Sequence, residues 1–352
     1  VSELTTHRQA SYRFTLLDGD DREVGALEGV TGGSVTLSAT TRLRGEGELQ
    51  VTDLGQMVDW QTARVRVDYV MRTAQGDREW PVGVFMVAAP TVEHSGAGAS
   101  RRVSLLGKLK ILDEDMVEQT YSVPAGTVVT SRVEELVRSA GEDRVAVTGS
   151  EAVTASMMTW PPGTPKLTIC NDLLDSVNYW ALWVDGSGQF RVEPYTRPVA
   201  RPRVWEFAEG AVAIHLPAWS EDQDIASVPN RVVLVGQGDA AGEALVGVAT
   251  NEDPASPYSY QSRGRWVTHT EEGVEADSQA TLTGLAQRKL VDLSTPASTL
   301  SISHMPIPLN PNEAVSFHSQ GRVVSRGIVQ TVKYDLTPTA MCTTELLEVV
   351  DV

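Results

Sequence analysis

Through the first third of the chain, apolar and polar residues alternate with a period of two. In ARVRVDYVM, Val65, Val67 and Tyr69 fall on one side and Arg64, Arg66 and Asp68 on the other, which predicts a half-buried strand. The same period runs through YRFTLL, GSVTLSATT, WPVGVFMVAAPTVEH and SRRVSLLGKLKIL, with Gly/Asp-rich or polar turns such as RTAQGDRE between them. Short strands without intervening helices predict a β-sandwich or small barrel over residues 1–112.

The period changes over residues 113–202. In GTVVTSRVEELVRSAG, Val129, Val133, Leu136 and Val137 share one helical stripe, with Thr127 as the expected cap and Gly141 as the expected stop. A second helix is predicted in LTICNDLLDSVNYW, with Ile169, Leu173, Leu174 and Val177 on one face. Asp185 to Gly188 then turn a hairpin. This region reads as a small α/β module, closed off by the prolines of RPVARPR.

From residue 203 to 352 strand patterns return, interrupted by one helix over about 278–293. That helix carries Leu282, Leu285, Ala286 and Leu290 along one side, with Asp277 or Ser278 as its cap. Within this region lies NRVVLVGQGDAAGEALVGVAT, which mimics a dinucleotide fingerprint. Gly236 and Gly238 have the first spacing, but Ala241 holds the third position and Gly242 comes one residue late. Valine and glycine occupy the positions where a helix should begin, so the stretch predicts two strands joined by a turn.

Charge narrows the function classes. Acidic residues outnumber basic ones by 46 to 29, a formal net charge of -17, which argues against a stable nucleic-acid binder. No apolar run is long enough to span a bilayer, and the first residues lack the pattern of a secretion leader. The two cysteines lie far apart, so neither a disulfide framework nor a zinc site is expected, and Cys170 reads as a buried thiol. The six histidines form no ligand motif. The run Asp18 to Asp21 lacks the spacing of a calcium loop and reads as a solvated turn, as do Asp113, Glu114, Asp115 and Glu118. No nucleophile elbow is present. The eight tryptophans could line a carbohydrate groove, but most sit in apolar alternation, where packing is the commoner role. No catalytic residue, cofactor or metal is therefore expected.

The order of segments resembles the tail hub proteins of tailed bacteriophages. The resemblance is carried by WQTARVRVDYV, WPVGVFMVAAPTVEH and RRVSLLGKLKILDED, with Leu112 to Asp115 as a domain-closing turn. It continues through LTICNDLLDSVNYWALWVDGSGQFRVEPY, DIASVPNRVVLVGQG and SRGIVQTVKYDLTPTAMCTTELLEV. It implies a mainly β fold in which two tail-tube-like β-barrel or sandwich domains flank a helix-plus-hairpin insert. It also implies a homotrimer forming a pseudo-sixfold ring at the distal end of a virion tail, assembled in the host cytoplasm. Expected partners are a distal tail ring or tube above and a spike, fibre or lytic tip protein below, with transient passage of DNA and tape-measure protein. The chain stops at LLEVVDV without the lytic or fibre extension of larger relatives, so any wall cutting is expected from another polypeptide or from a portion removed from this one. Ring contacts through strand edges would fall to Arg64, Val65, Arg66, Val67, Asp68, Tyr69 and Val70, and to Arg231, Val232, Val233, Leu234 and Val235. The alternatives are a glycoside or peptidoglycan hydrolase, or a carbohydrate-binding module of the tail tip.

Overall fold

The computed structural model describes residues 2–5, 8–74, 76–95, 98–223, 226–236, 245–274, 279–293 and 298–349. Seven strands come first: β1 (Gln9–Leu17), β2 (Glu23–Ala26), β3 (Val30–Ser38), β4 (Gly45–Thr52), β5 (Arg64–Thr73), β6 (Gly76–Ser95) and β7 (Gly98–Gly107). A mixed stretch comes next, with α1 (Lys110–Glu114), β8 (Tyr121–Val123), α2 (Val129–Ser139), β9 (Val145–Val147), β10 (Met158–Trp160), α3 (Lys166–Asp175), β11 (Trp183–Val184) and β12 (Phe190–Val192). The remainder holds β13 (Arg203–Phe207), β14 (His215–Gln223), β15 (Arg231–Gly236), β16 (Val246–Thr250), α4 (Tyr260–Arg263), β17 (Thr268–Val274), α5 (Gln279–Leu293), β18 (Ser298–His304), β19 (Ala314–Ser319), β20 (Arg322–Asp335) and β21 (Cys342–Glu348).

The expectation of two barrel or sandwich domains is overturned. Thirteen strands form one open sheet in the order β14-β18-β21-β20-β3-β4-β7-β6-β5-β1-β2, with β19 branching from β20 and β13 from β19. No sheet among the described residues is closed. The reason lies in the length of β20. One of its edges takes β21, while the other is shared between β19, over Arg322–Ile328, and β3, over Thr331–Asp335. The C-terminal strands therefore continue into the N-terminal ones instead of curling back on themselves. Alternation reports which face of a strand is buried; it carries nothing about which neighbour takes the edge.

The mixed stretch has a core of its own. Leu109, Leu112, Val133, Leu136, Val137, Ile169, Leu173, Leu174, Phe190 and Val192 are buried together. The helical stripes read from the sequence are the faces that build it. Thr127, however, does not cap α2: its hydroxyl donates to the carbonyl of Pro124 (2.7 Å), and Val128 occupies the cap position without a side-chain bond. Gly141 comes just after the helix with φ 88°, the left-handed conformation of a stop. The segment KIL, read as the tail of a strand, is instead the start of α1, because the strand has already ended at Gly107.

The chain divides into two compact units, Val1–Trp219 with Ser301–Val352, and Ser220–Leu300. The smaller unit is a three-stranded sheet, β16-β15-β17, covered by α5. Val232, Leu234 and Ala249 meet Leu282, Ala286 and Leu290 in its core. At Gly247 a Cβ would stand 2.5 Å from the carbonyl oxygen of Leu282, so only glycine allows the helix this close. The helix begins at Gln279; its expected caps, Asp277 and Ser278, lie outside the described residues.

Candidate functional site

Strand edges are the first candidate surface. β5 has β1 on one side, in register Gln9↔Arg72 to Leu17↔Arg64, and β6 on the other. β15 is likewise held between β16 and β17. Neither strand expected to supply ring contacts therefore has a free hydrogen-bonding edge. Val65, Val67, Tyr69, Val232 and Leu234 are buried core residues. The polar side of β5 is also largely covered: Arg64 is buried, and Asp68 is buried against Arg66 (2.9 Å) and Arg13 (3.7 Å). Arg66, Val70, Arg231, Val233 and Val235 keep partial exposure. Among the described residues, strands with one neighbour only are β2, β13 and β14 in the large sheet and β16 and β17 in the β16-β15-β17 sheet. Val24, Val204, Leu216, Val246 and Val248 stand exposed along four of them.

A second feature, absent from every sequence pattern, is a buried ion cluster. Lys108 is fully buried, with its Nζ 2.6 Å from Asp21 and 2.7 Å from Glu142. Arg64 reaches the same two carboxylates at 2.7 and 2.6 Å. Lys108 also donates to the carbonyl of Gly188 (3.0 Å) and lies over the ring of Phe190 (5.2 Å). The cluster joins the β1–β2 turn, β5 and β7 to the loop after α2 and to the β11–β12 hairpin. Asp21 is thus not the solvated turn residue expected. Asp18 is a turn residue as expected: half-buried, it accepts the backbone N–H groups of Asp20 and Arg22 (both 2.9 Å). Asp113 and Asp115 depart from expectation in the same way, bonded to Arg42 (2.6 Å) and Lys166 (2.5 Å), while Glu114 and Glu118 remain exposed.

A cavity of about 390 Å³ opens where β3–β4, β6 and the β11–β12 hairpin meet the segments around Arg201 and Glu313. Its walls include Leu43, Val84, Phe85, Trp183 and Val204. Trp180 is covered by the guanidinium of Arg201, 4.5 Å from its ring centre, and Arg191 lies over Trp183 at 5.9 Å. All eight tryptophans are buried or half-buried, so none offers the exposed ring of a sugar platform.

Among the described residues, no group of three or more His, Cys, Asp or Glu could hold a metal ion. Both cysteines are free and buried, and burial pushes the Cys170 thiol up to about 12. His304 is wholly buried; burial lowers it to about 4, so its ring is neutral. Its Nδ1–H donates to the carbonyl of Met305 (2.8 Å), which leaves Nε2 to accept from the Thr344 hydroxyl (2.7 Å). His7 and the glycine turn at Gly238–Gly242 lie outside the described residues. The strands flanking that turn pair antiparallel from Arg231↔Thr250 to Val235↔Val246, and a strand stands where a dinucleotide fold would place its helix.

No protein-family model matches this chain, and no curated protein matches it in sequence. Solved structures do. It is similar to the tail protein from Neisseria meningitidis MC58, with a TM-score of 0.66 at 13% identity over 96% of this chain and 97% of that one. The chain shares its fold with solved tail proteins. The prophage MuSo2 43 kDa tail protein from Shewanella oneidensis gives a TM-score of 0.61 at 11% identity, over 95% and 98% of the two chains. A chain of the half-lidded Francisella PdpA-VgrG complex gives 0.61 at 6% identity, over 97% of this chain and 58% of that one.

Proposed function

We propose that the chain is a structural, non-catalytic hub subunit at the distal end of a phage tail or a related injection device. Three copies would close a pseudo-sixfold ring that adapts a sixfold tube to a threefold tip. The observation that carries this reading is the end-to-end likeness to the Neisseria tail protein, covering 96% of one chain and 97% of the other. A likeness spanning both chains is what a shared architectural role requires, whereas a shared domain would match only in part. The buried character of the ion cluster and of His304 adds support, since groups enclosed in this way hold a fold together and do not meet a substrate.

In this reading residues 1–112 and 203–352 contribute the ring wall and residues 113–202 a module on it. Because β5 and β15 are paired on both sides, ring contacts fall to the singly paired strands β2, β13, β14, β16 and β17. Arg66, Val70, Arg231, Val233 and Val235 can then take part only through their outward faces. The acidic excess, turned toward the channel, would repel passing DNA. A reconstruction of intact particles tests the reading: three copies around the axis at the tail tip are expected. A location elsewhere on the particle, or a copy number other than three, would overturn it.

A further inference from the structure

Two guanidinium groups in the cavity are answered by no carboxylate. Arg44 lines it from the β3–β4 turn, and among the described residues its side chain has no ion pair or hydrogen bond. Burial holds it below the ordinary arginine value. Arg201 donates to the carbonyls of Thr196 (3.0 Å) and Asn312 (2.7 Å), and burial lowers it against the opposing effect of its contact with Tyr195.

The acidic residues around them are committed elsewhere. Asp185 accepts three bonds from its own turn, from the Ser187 amide (3.0 Å), the Ser187 hydroxyl (2.7 Å) and the Gln189 amide (3.1 Å). Glu193 holds Arg191 at 2.5 Å. Glu313 accepts the backbone and side-chain amides of Asn310 (2.8 and 3.1 Å), and burial raises it toward the neutral form. Lys108 is balanced inside the ion cluster. The recess therefore presents, between apolar walls, a guanidinium at Arg44 that no carboxylate of its lining is paired with. Its volume lies in the range of pockets that enclose small organic ligands.

We infer that the cavity binds a carboxylate carried on an apolar body, gripped by Arg44 and seated against Phe85, Val84 and Trp183. A guanidinium presents a planar fork of donors that fits a carboxylate two-to-two. A sugar is disfavoured because arginines already cover the faces of Trp180 and Trp183. The carboxylate can belong to a free organic acid or to an acidic side chain next to an apolar one in a peptide.

Calorimetric titration of the full chain distinguishes these. The probes are phenylacetate, its neutral isostere phenylacetamide, and the blocked dipeptides acetyl-Leu-Glu-amide and acetyl-Leu-Gln-amide. At least one acid is expected to bind about tenfold or more tightly than its amide, the difference a charge-assisted pair makes. Arg44→Met is expected to erase that preference and Arg44→Lys to keep part of it. The melting temperature of ligand-free Arg44→Met should not fall, because no partner is lost, and this separates loss of binding from loss of folding. Whichever acid binds more tightly identifies the source of the carboxylate. Equal binding of acids and amides, no binding of any probe, or a preference unchanged in Arg44→Met would overturn the inference.

Discussion

Lys108 shows how much a single residue can hold together in this protein. With its ammonium wholly out of water, it is stable there only because Asp21, Glu142 and the Gly188 carbonyl surround it. Removing one member strands the others, so Lys108→Ala should lower unfolding stability by about 3–5 kcal/mol in a denaturant titration. Replacing Lys108, Arg64, Asp21 and Glu142 together with apolar residues of similar volume should recover much of that loss. His304 acts through its neutral form. Its folded pKa is depressed from 6.5 to about 4, so the unfolded chain binds the extra proton first. Its contribution is complete above pH 6.5 and is lost as pH falls toward 4, amounting to about 3 kcal/mol. In His304→Asn, whose amide does not titrate, stability should lose this pH dependence across the window, read by acid denaturation.

Among the elements, the β11–β12 hairpin positions the middle module. Its turn was legible, because Asp185 and Gly188 are turn residues at turn spacing. Its seat was not. At Gly186 a Cβ would stand 2.4 Å from the carbonyl oxygen of Pro81 on β6, and at Gly188, with φ 85°, one would stand 2.8 Å from Val84. The glycines therefore serve close approach as well as the turn. Gly186→Ala should cost about 1–3 kcal/mol, with faster hydrogen exchange in both the hairpin and the middle of β6. The three longer helices were read correctly because α2, α3 and α5 each have one buried stripe, whereas the short α1 and α4 have too few residues to show one. Thr127 misled because a threonine near a helix start can turn its hydroxyl back to the preceding loop just as well.

Across the whole molecule, β20 turns two strand-rich regions into one sheet. Residues 1–202 expressed alone would leave the β3 edge over Ser34–Ser38 unpaired beside the buried Val35. Such a fragment should aggregate on expression, read as light scattering during a thermal melt, whereas the full chain should unfold without it. The same sharing of edges explains why a barrel was expected and is not found: two regions with the same strand pattern fit two closed sheets or one open one equally well.

The strands, the helical stripes, a strand instead of a nucleotide-binding helix at Val246–Thr250, and the burial of Cys170 were set by the sequence alone. All of these arise from the spacing of residues near one another along the chain. Only the tertiary structure settled which strands meet across about 300 residues, that Asp21 is enclosed while Asp18 bonds within its own turn, and that Arg44 is left without a counter-charge. Those outcomes depend on which distant groups arrive at the same place, and the local order of residues does not encode that one position at a time.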